Sequence, residues 1–172
     1  MLAPALGTEA REFPEYKIKA AYIYNFAKFV TWPEQAWPDP KSPLVIGILG
    51  QDPFGLLLAE TINGKTVNGR ALALRYFKSG APVEGCHILF VSRSEKERLP
   101  ALLASLRGKN VLVISELERF ARQGGMINFI IAEDRVRFEL NLQAVQAAGL
   151  QVSSKLCEVG ILVKSEPAKQ AR

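Results

Sequence analysis

The clearest pattern in the chain is the run of apolar and polar positions from 124 to 156, GGMINFIIAEDRVRFELNLQAVQAAGLQVSSKL. Two stretches, Met126–Ala132 and Arg135–Leu140, flank Glu133-Asp134, a break of hairpin length. In the second stretch Val136, Phe138 and Leu140 share one face and Arg135, Arg137 and Glu139 the other. One face is therefore expected to be buried and one wet. The first stretch is almost wholly apolar, as in a strand covered on both sides. Glu133-Asp134 lacks the glycine that a type I′ turn favours, which leaves a longer loop open. Asn141 stands where a helix N-cap belongs. Leu142, Val145 and Ala148 then keep helical spacing, and Gly149 with apolar Leu150 forms a C-terminal stop. Ser153 or Ser154 caps a last predicted helix carrying Leu156, Val159 and Val163.

Upstream, strands and helices alternate. Phe13-Pro14-Glu15 opens a first helix, with Pro14 near its first position, and the helix runs to about Trp32 before Pro33. Ile18, Tyr22, Phe26, Phe29 and Val30 form its apolar stripe, with Lys17, Lys19 and Lys28 away from the centre. A second apolar face (Ile23, Tyr24, Ala27) suits either a sheet or another subunit, and face width favours the sheet. Leu44–Leu49 is a strand. Asp52 and Pro53 open a helix over Phe54–Ile62. Lys65–Val67 and Arg70–Phe77 flank the tight-turn pair Asn68-Gly69. His87–Val91 and Asn110–Ile114 are further strands. Ser94–Glu97 and Ser115–Glu118 match capping boxes, and Pro100 marks a kink or restart. This order predicts an α/β fold: a mixed, partly parallel sheet flanked by helices on both faces, with an antiparallel C-terminal hairpin. A single domain is expected over 14–164, between an export-signal remnant or flexible N-terminus at 1–13 and a flexible C-terminus at 165–172.

Composition alters this picture little. With 172 residues, 48% apolar and 23% charged, the chain can bury one ordinary globular core. Its net charge of +5 is spread over scattered Lys and Arg with no basic run. That reads as a solvated surface and not as a nucleic-acid footprint. Phe129 and Phe138 read as core, not as base-stacking platforms. No stretch reaches the roughly 18 apolar residues of a membrane span. MLAPALGTEA has neither a basic n-region nor an apolar h-region, and it reads as an initiator Met before the small-residue tail of a trimmed export signal.

The chemistry-bearing residues are few. One histidine and two cysteines, at no metal-ligand spacing, predict no metal site. Nothing demands a cofactor. His87 has no partner motif and reads as a polar strand-end residue. Cys86 and Cys157 are expected to remain unbridged, because no element must bring them together. GILGQDPFG, from Gly47 to Gly55, has the wrong spacing for a dinucleotide loop, and its glycines read as turn geometry. No GxSxG elbow occurs. The residues thus point to a binding or regulatory module and not to an enzyme.

Five stretches in order carry a resemblance: YKIKAAYIYNFAKFVTWP at Tyr16–Pro33, LVIGILGQDPFG at Leu44–Gly55, NGKTVNGRAL at Asn63–Leu72, GCHILFVS at Gly85–Ser92, and the hairpin region. Together they resemble the YfiR/HmsC-like family of small periplasmic proteins. The resemblance implies an α/β, non-catalytic protein that tends to dimerise. It implies that the protein binds the periplasmic sensory domain of an inner-membrane diguanylate cyclase and holds it inactive, which lowers cyclic-di-GMP and biofilm formation. It also implies an outer-membrane lipoprotein that sequesters the repressor. The two disulfides associated with the family need four cysteines, and only Cys86 sits in the family context. A surface without catalysis needs an apolar centre with a polar rim. The candidate partner-binding residues are Tyr24 and Trp32 on the first helix and Val159, Ile161 and Leu162 around Gly160. The other reading is a periplasmic small-molecule sensor acting on another membrane receptor.

Overall fold

The computed structural model describes residues 9–167, with side chains from Pro14 onward. Of the export-signal remnant or flexible N-terminus expected at 1–13, residues 1–8 lie outside the described residues, as do the last residues, 168–172. Helix α1 is Glu9–Phe29, so Pro14 sits inside it and not at its first position. The chain then turns extended as β1 (Val30–Thr31), before the expected helix end at Trp32. Next come β2 (Leu44–Leu49), α2 (Leu57–Ile62), β3 (Thr66–Val67), β4 (Arg70–Phe77) and β5 (Ile88–Val91). They are followed by α3 (Leu99–Ser105), β6 (Leu112–Ser115), β7 (Ile127–Ala132) and β8 (Arg135–Leu140). The chain closes with α4 (Leu142–Ala147), β9 (Gln151–Val152), α5 (Ser154–Val159) and β10 (Ile161–Leu162).

Eight strands form one sheet in the order β10-β8-β7-β6-β5-β2-β4-β3. Strands β4, β2, β5, β6 and β7 run parallel. β8 is antiparallel to β7, and β3 to β4. β1 and β9 pair separately. Every residue of β5 and β6 is buried, so both faces of the sheet centre are covered. The architecture is the expected mixed, partly parallel α/β fold with an antiparallel hairpin near the C-terminus.

Local signals explain several elements. Asn141 Oδ1 accepts from the Ala144 amide and caps α4, and Ser153 caps α5 in the same way. The Gly149 and Leu150 amides donate to Gln146 and Val145, the double bond of a Schellman stop. The β7–β8 turn has two residues only. Glu133 and Asp134 both take φ near +55° to +60°, and Ala132 pairs directly with Arg135. The longer loop left open by the missing glycine does not form, because the hairpin register outweighs the backbone cost of these two positions.

Other local signals lost. Asp52 Oδ1 accepts from Phe54 N, but α2 begins at Leu57, so Asp52 closes an Asx turn instead of capping a helix. Ser92, not Ser94, caps the 3-10 turn Arg93–Arg98. Ser115 Oγ donates to Val91 O, so it ties two strands and opens no capping box. The predicted last helix stops at Val159. Ile161 and Leu162 pair in parallel with Glu139 and Leu140 instead. Of the glycines in GILGQDPFG, Gly47 is a packing residue: a Cβ there would lie 2.7 Å from the Phe77 ring. The C-terminus is held to Glu166, beyond the expected boundary, by Glu166 N donating to Arg122 O and by Ser165 Oγ beside Asn141 Nδ2.

Helix α1 buries Ala20, Ile23, Phe26 and Ala27 completely. Phe26 packs on Phe129 and Phe138 with ring centroids 5.9 and 5.0 Å apart. The buried face is therefore rotated from the predicted stripe. Ile18 is exposed, while Ile23 and Ala27, the face considered for another subunit, lie in the core.

Candidate functional site

The five predicted contact residues fall in three places. Trp32 is buried, at 6% exposure, and its Nε1 donates to His87 O at 3.1 Å. It is a core residue of its own domain, which corrects its reading as surface. Tyr24 is half-buried between the ammonium groups of Lys28 and Lys65, 4.7 and 4.5 Å from its ring centre. Tyr16, two turns earlier on the same helix, packs edge-on against Phe54. Val159 and Leu162 are exposed at 60% and 58%, and Ile161 is half-buried beside them. The last three share the β10 edge; Tyr24 and Trp32 do not join them.

Trp32 belongs to a closed cluster at the amino ends of the parallel strands. His87 Nδ1 accepts from Val45 N at 3.1 Å, so Nε2 carries the hydrogen and donates to Ala36 O at 3.0 Å. Trp37 stacks on the imidazole, and the Arg70 guanidinium lies 3.9 Å from the Trp37 ring centre. Burial pushes the His87 pKa below its usual value, and the nearby Arg70 charge acts in the same direction.

The opposite edge is open. Numbered in chain order, the parallel strands run 2-1-3-4-5. Doubly wound sheets bind ligands at the carboxyl ends where that order reverses, here between β2 and β5. That crevice is filled. Buried Glu95 accepts from Ser79 Oγ at 2.7 Å and Ser94 Oγ at 3.0 Å, and Arg98 donates to Ser79. A cavity of about 700 Å³ instead lies beyond β6 and β7, where the hairpin overshoots the sheet.

Two buried polar groups line it. In the first, Lys19 Nζ sits 2.5 Å from Glu15 Oε1 and 2.6 Å from Glu116 Oε2. Tyr16 OH donates to Glu116 Oε1 at 2.8 Å, and Arg93 approaches the same oxygen at 3.3 Å. Burial, then the bond to the Glu116 carboxylate, raises the Tyr16 pKa well above its ordinary value. In the second group, Asn128 Nδ2 donates to Glu139 Oε1 at 3.3 Å, and Arg122 donates to Oε2 at 3.4 Å. Among the described residues, Asn128 Oδ1 has no hydrogen-bond partner.

The sequence pattern did not reveal these residues. Lys19 was placed off the apolar stripe, Glu116 in a capping box and Glu139 on the wet face of β8. Only the Glu15–Lys19 spacing of one helical turn hinted at a pairing. Cys86 and Cys157 are free, and burial pushes the Cys86 thiol up to about 11. Among the described residues no group of three or more His, Cys, Asp or Glu could hold a metal ion. No helix among them is long and apolar enough to cross a membrane.

No curated protein matches the chain. A family model described as YfiR/HmsC-like matches residues 16–160, which takes in α1 from Tyr16, the sheet through β8, and α5. Val159 lies inside the matched region, whereas Ile161 and Leu162 lie just beyond it. The parallel strands, the hairpin and the five sequence stretches all fall within that match, and the chain belongs to the YfiR/HmsC-like family of periplasmic regulators.

Proposed function

We propose that the protein is a regulatory binding protein of the periplasm that represses an inner-membrane diguanylate cyclase. It binds the cyclase's periplasmic sensory domain without catalysis and so lowers cyclic-di-GMP and biofilm formation. Family membership over residues 16–160 carries this reading. The β10 edge supports it. Val159 and Leu162 supply exposed apolar area, and Lys155, Glu158 and Lys164 supply a charged rim. Among the described residues β10 ends the sheet, so its outer backbone groups are open to a partner strand. The reading includes a homodimer and an outer-membrane lipoprotein that sequesters the repressor.

Calorimetric titration of the protein into the purified cyclase sensory domain tests it. Saturable binding is expected, and Val159→Asp with Leu162→Asp should weaken it with an unchanged melting curve. A wild-type protein that gives no binding heat and leaves cyclase output untouched would end this reading. The second reading, a periplasmic small-molecule sensor acting on another membrane receptor, is favoured by the cavity beyond β6 and β7.

A further inference from the structure

We propose that the cavity beyond β6 and β7 is a docking groove for an extended, acidic peptide segment of another protein, which adds a strand to the free edge of β7. The deciding feature is the outer backbone of β7. Ala132 and Arg135 face each other across the two-residue turn, so Ala132, Ile130 and Asn128 direct their backbone groups at β8. Ile127, Phe129 and Ile131 direct theirs to the other side, where β6 pairs only with Ile127 and Asn128. The Ile131 N–H and C=O and the Phe129 C=O therefore have no partner strand among the described residues. Phe129, Ile130 and Ile131 line the cavity, so this unpaired edge forms one of its walls. Native sheets blunt free edges with charge, proline or a bulge. From Phe129 to Ala132 this edge is wholly apolar and keeps unbroken register with β8, and Ile131 is 57% exposed.

The other walls fix the kind of strand. The buried charges of the cavity are paired within the protein, Lys19 with Glu15 and Glu116, and Glu139 with Arg122. On the rim, Arg93, Lys96 and Arg119 are exposed against one exposed carboxylate, Glu118. Lys96 makes no ion pair among the described residues, and Arg93 has only its 3.3 Å approach to Glu116. A segment that brings carboxylates answers this surplus. The chain's own C-terminal segment shows the same chemistry beside the cavity. Outside any helix or strand, Glu166 N donates to Arg122 O, and the Glu166 carboxylate pairs with Arg119 and Arg122. Two of the residues that line the cavity thus already accept a non-helical backbone and a carboxylate together. Leu99 and Pro100 offer apolar contact to alternate side chains of an incoming strand. Main-chain bonds to β7 would supply affinity, and these seats specificity. This groove does not rest on the cyclase reading, and its test contains no cyclase.

The test titrates the protein with blocked peptides and follows its amide chemical shifts. The probes are acetyl-Thr-Z-Glu-Z-Glu-Z-Thr-amide, with Z valine, leucine, phenylalanine or tyrosine. The comparisons carry lysine for both glutamates, or N-methyl groups on one or the other set of alternate amides. At least one glutamate peptide should bind saturably, with shifts at Phe129–Ala132, and at least about tenfold more tightly than its lysine counterpart. One of the two N-methylated patterns should lose binding, because a strand turns alternate amides to its neighbour. Ile131→Pro removes a donor that faces away from β8, so the protein should stay folded and lose the peptide. Lys96→Glu, on the rim, should weaken binding and leave the free protein unchanged. The proposal is overturned if no glutamate peptide shifts the spectrum, if the lysine peptides bind as well, or if either variant, folded, binds as wild type does. It is overturned too if the Ile131 amide is already protected from exchange in the free protein. Protection that grows with concentration would place a second copy in the groove, and protection that does not would place the chain's own end there.

Discussion

The amino and carboxyl edges of the parallel strands both bury polar groups, with opposite outcomes. At the amino edge the account closes. Both His87 ring nitrogens are bonded, Trp32 donates to His87 O, and Trp37 is sandwiched between His87 and Arg70. At the carboxyl edge Lys19 and Glu116 are paired as thoroughly, but Asn128 Oδ1 is not, and a cavity lies beside it. A lone histidine is usually the first residue suspected of function, yet here it holds strands together. The difference teaches that satisfaction, and not residue type, marks where buried polar structure is complete.

The largest effect should come from the ion cluster. Lys19→Met removes the buried cation and leaves the Glu116 carboxylate only the exposed Arg93, which should cost about 3–5 kcal/mol. Replacing Glu116 with Leu as well should recover much of the loss. Urea titration measures both, and a loss no larger than that of an exposed lysine would remove the carboxyl edge from the comparison.

His87→Ala comes next, at roughly 1–3 kcal/mol, because it orphans the Val45 amide. The wild type should also show a pH signature. The folded-state pKa lies below 6.5, so the unfolded chain takes up the proton first. The His87 contribution is complete above pH 6.5 and is lost as pH falls through the window below it. A wild-type stability curve parallel to that of His87→Ala across this window would show that the amino edge is not closed as described.

Two buried asparagines sharpen the contrast. Asn141 has both amide atoms bonded, Oδ1 to Ala144 N and Nδ2 to Ala121 O, so Asn141→Ala should cost on the order of 1 kcal/mol. Asn128→Leu removes the orphan but also the donor to the buried Glu139 carboxylate, so it should cost more, about 1–3 kcal/mol. Paired melts compare them directly, and a loss at Asn128 smaller than that at Asn141 would show that Glu139 does not depend on the Asn128 donor. The smallest effect concerns thiols. Cys86, buried and pushed up to about 11, should label only on unfolding, whereas half-buried Cys157 should label in the native state. Equal labelling rates for the two would show the amino edge opening.

What the sequence determined by itself is what depends on neighbours within a few residues. The hairpin of Met126–Leu140, the caps at Asn141 and Ser153 and the stop at Gly149 were legible because each is closed by hydrogen bonds across one turn. The α/β class was legible because strand and helix periods differ. The alternation of β8 was legible too, but it assigned Glu139 to solvent, since a period of two records a face and not what covers it. Only the tertiary structure decided the rest. Lys19 is buried because Glu116, 97 positions away, meets it, and Trp32 is buried because His87, 55 positions away, accepts its hydrogen. Ile161 and Leu162 are a strand because β8 offers them an edge to pair with. The cavity exists because β7 outruns β6 in the assembled sheet. Each of these outcomes requires partners distant in sequence, and local periodicity carries no record of which distant residue the fold brings near.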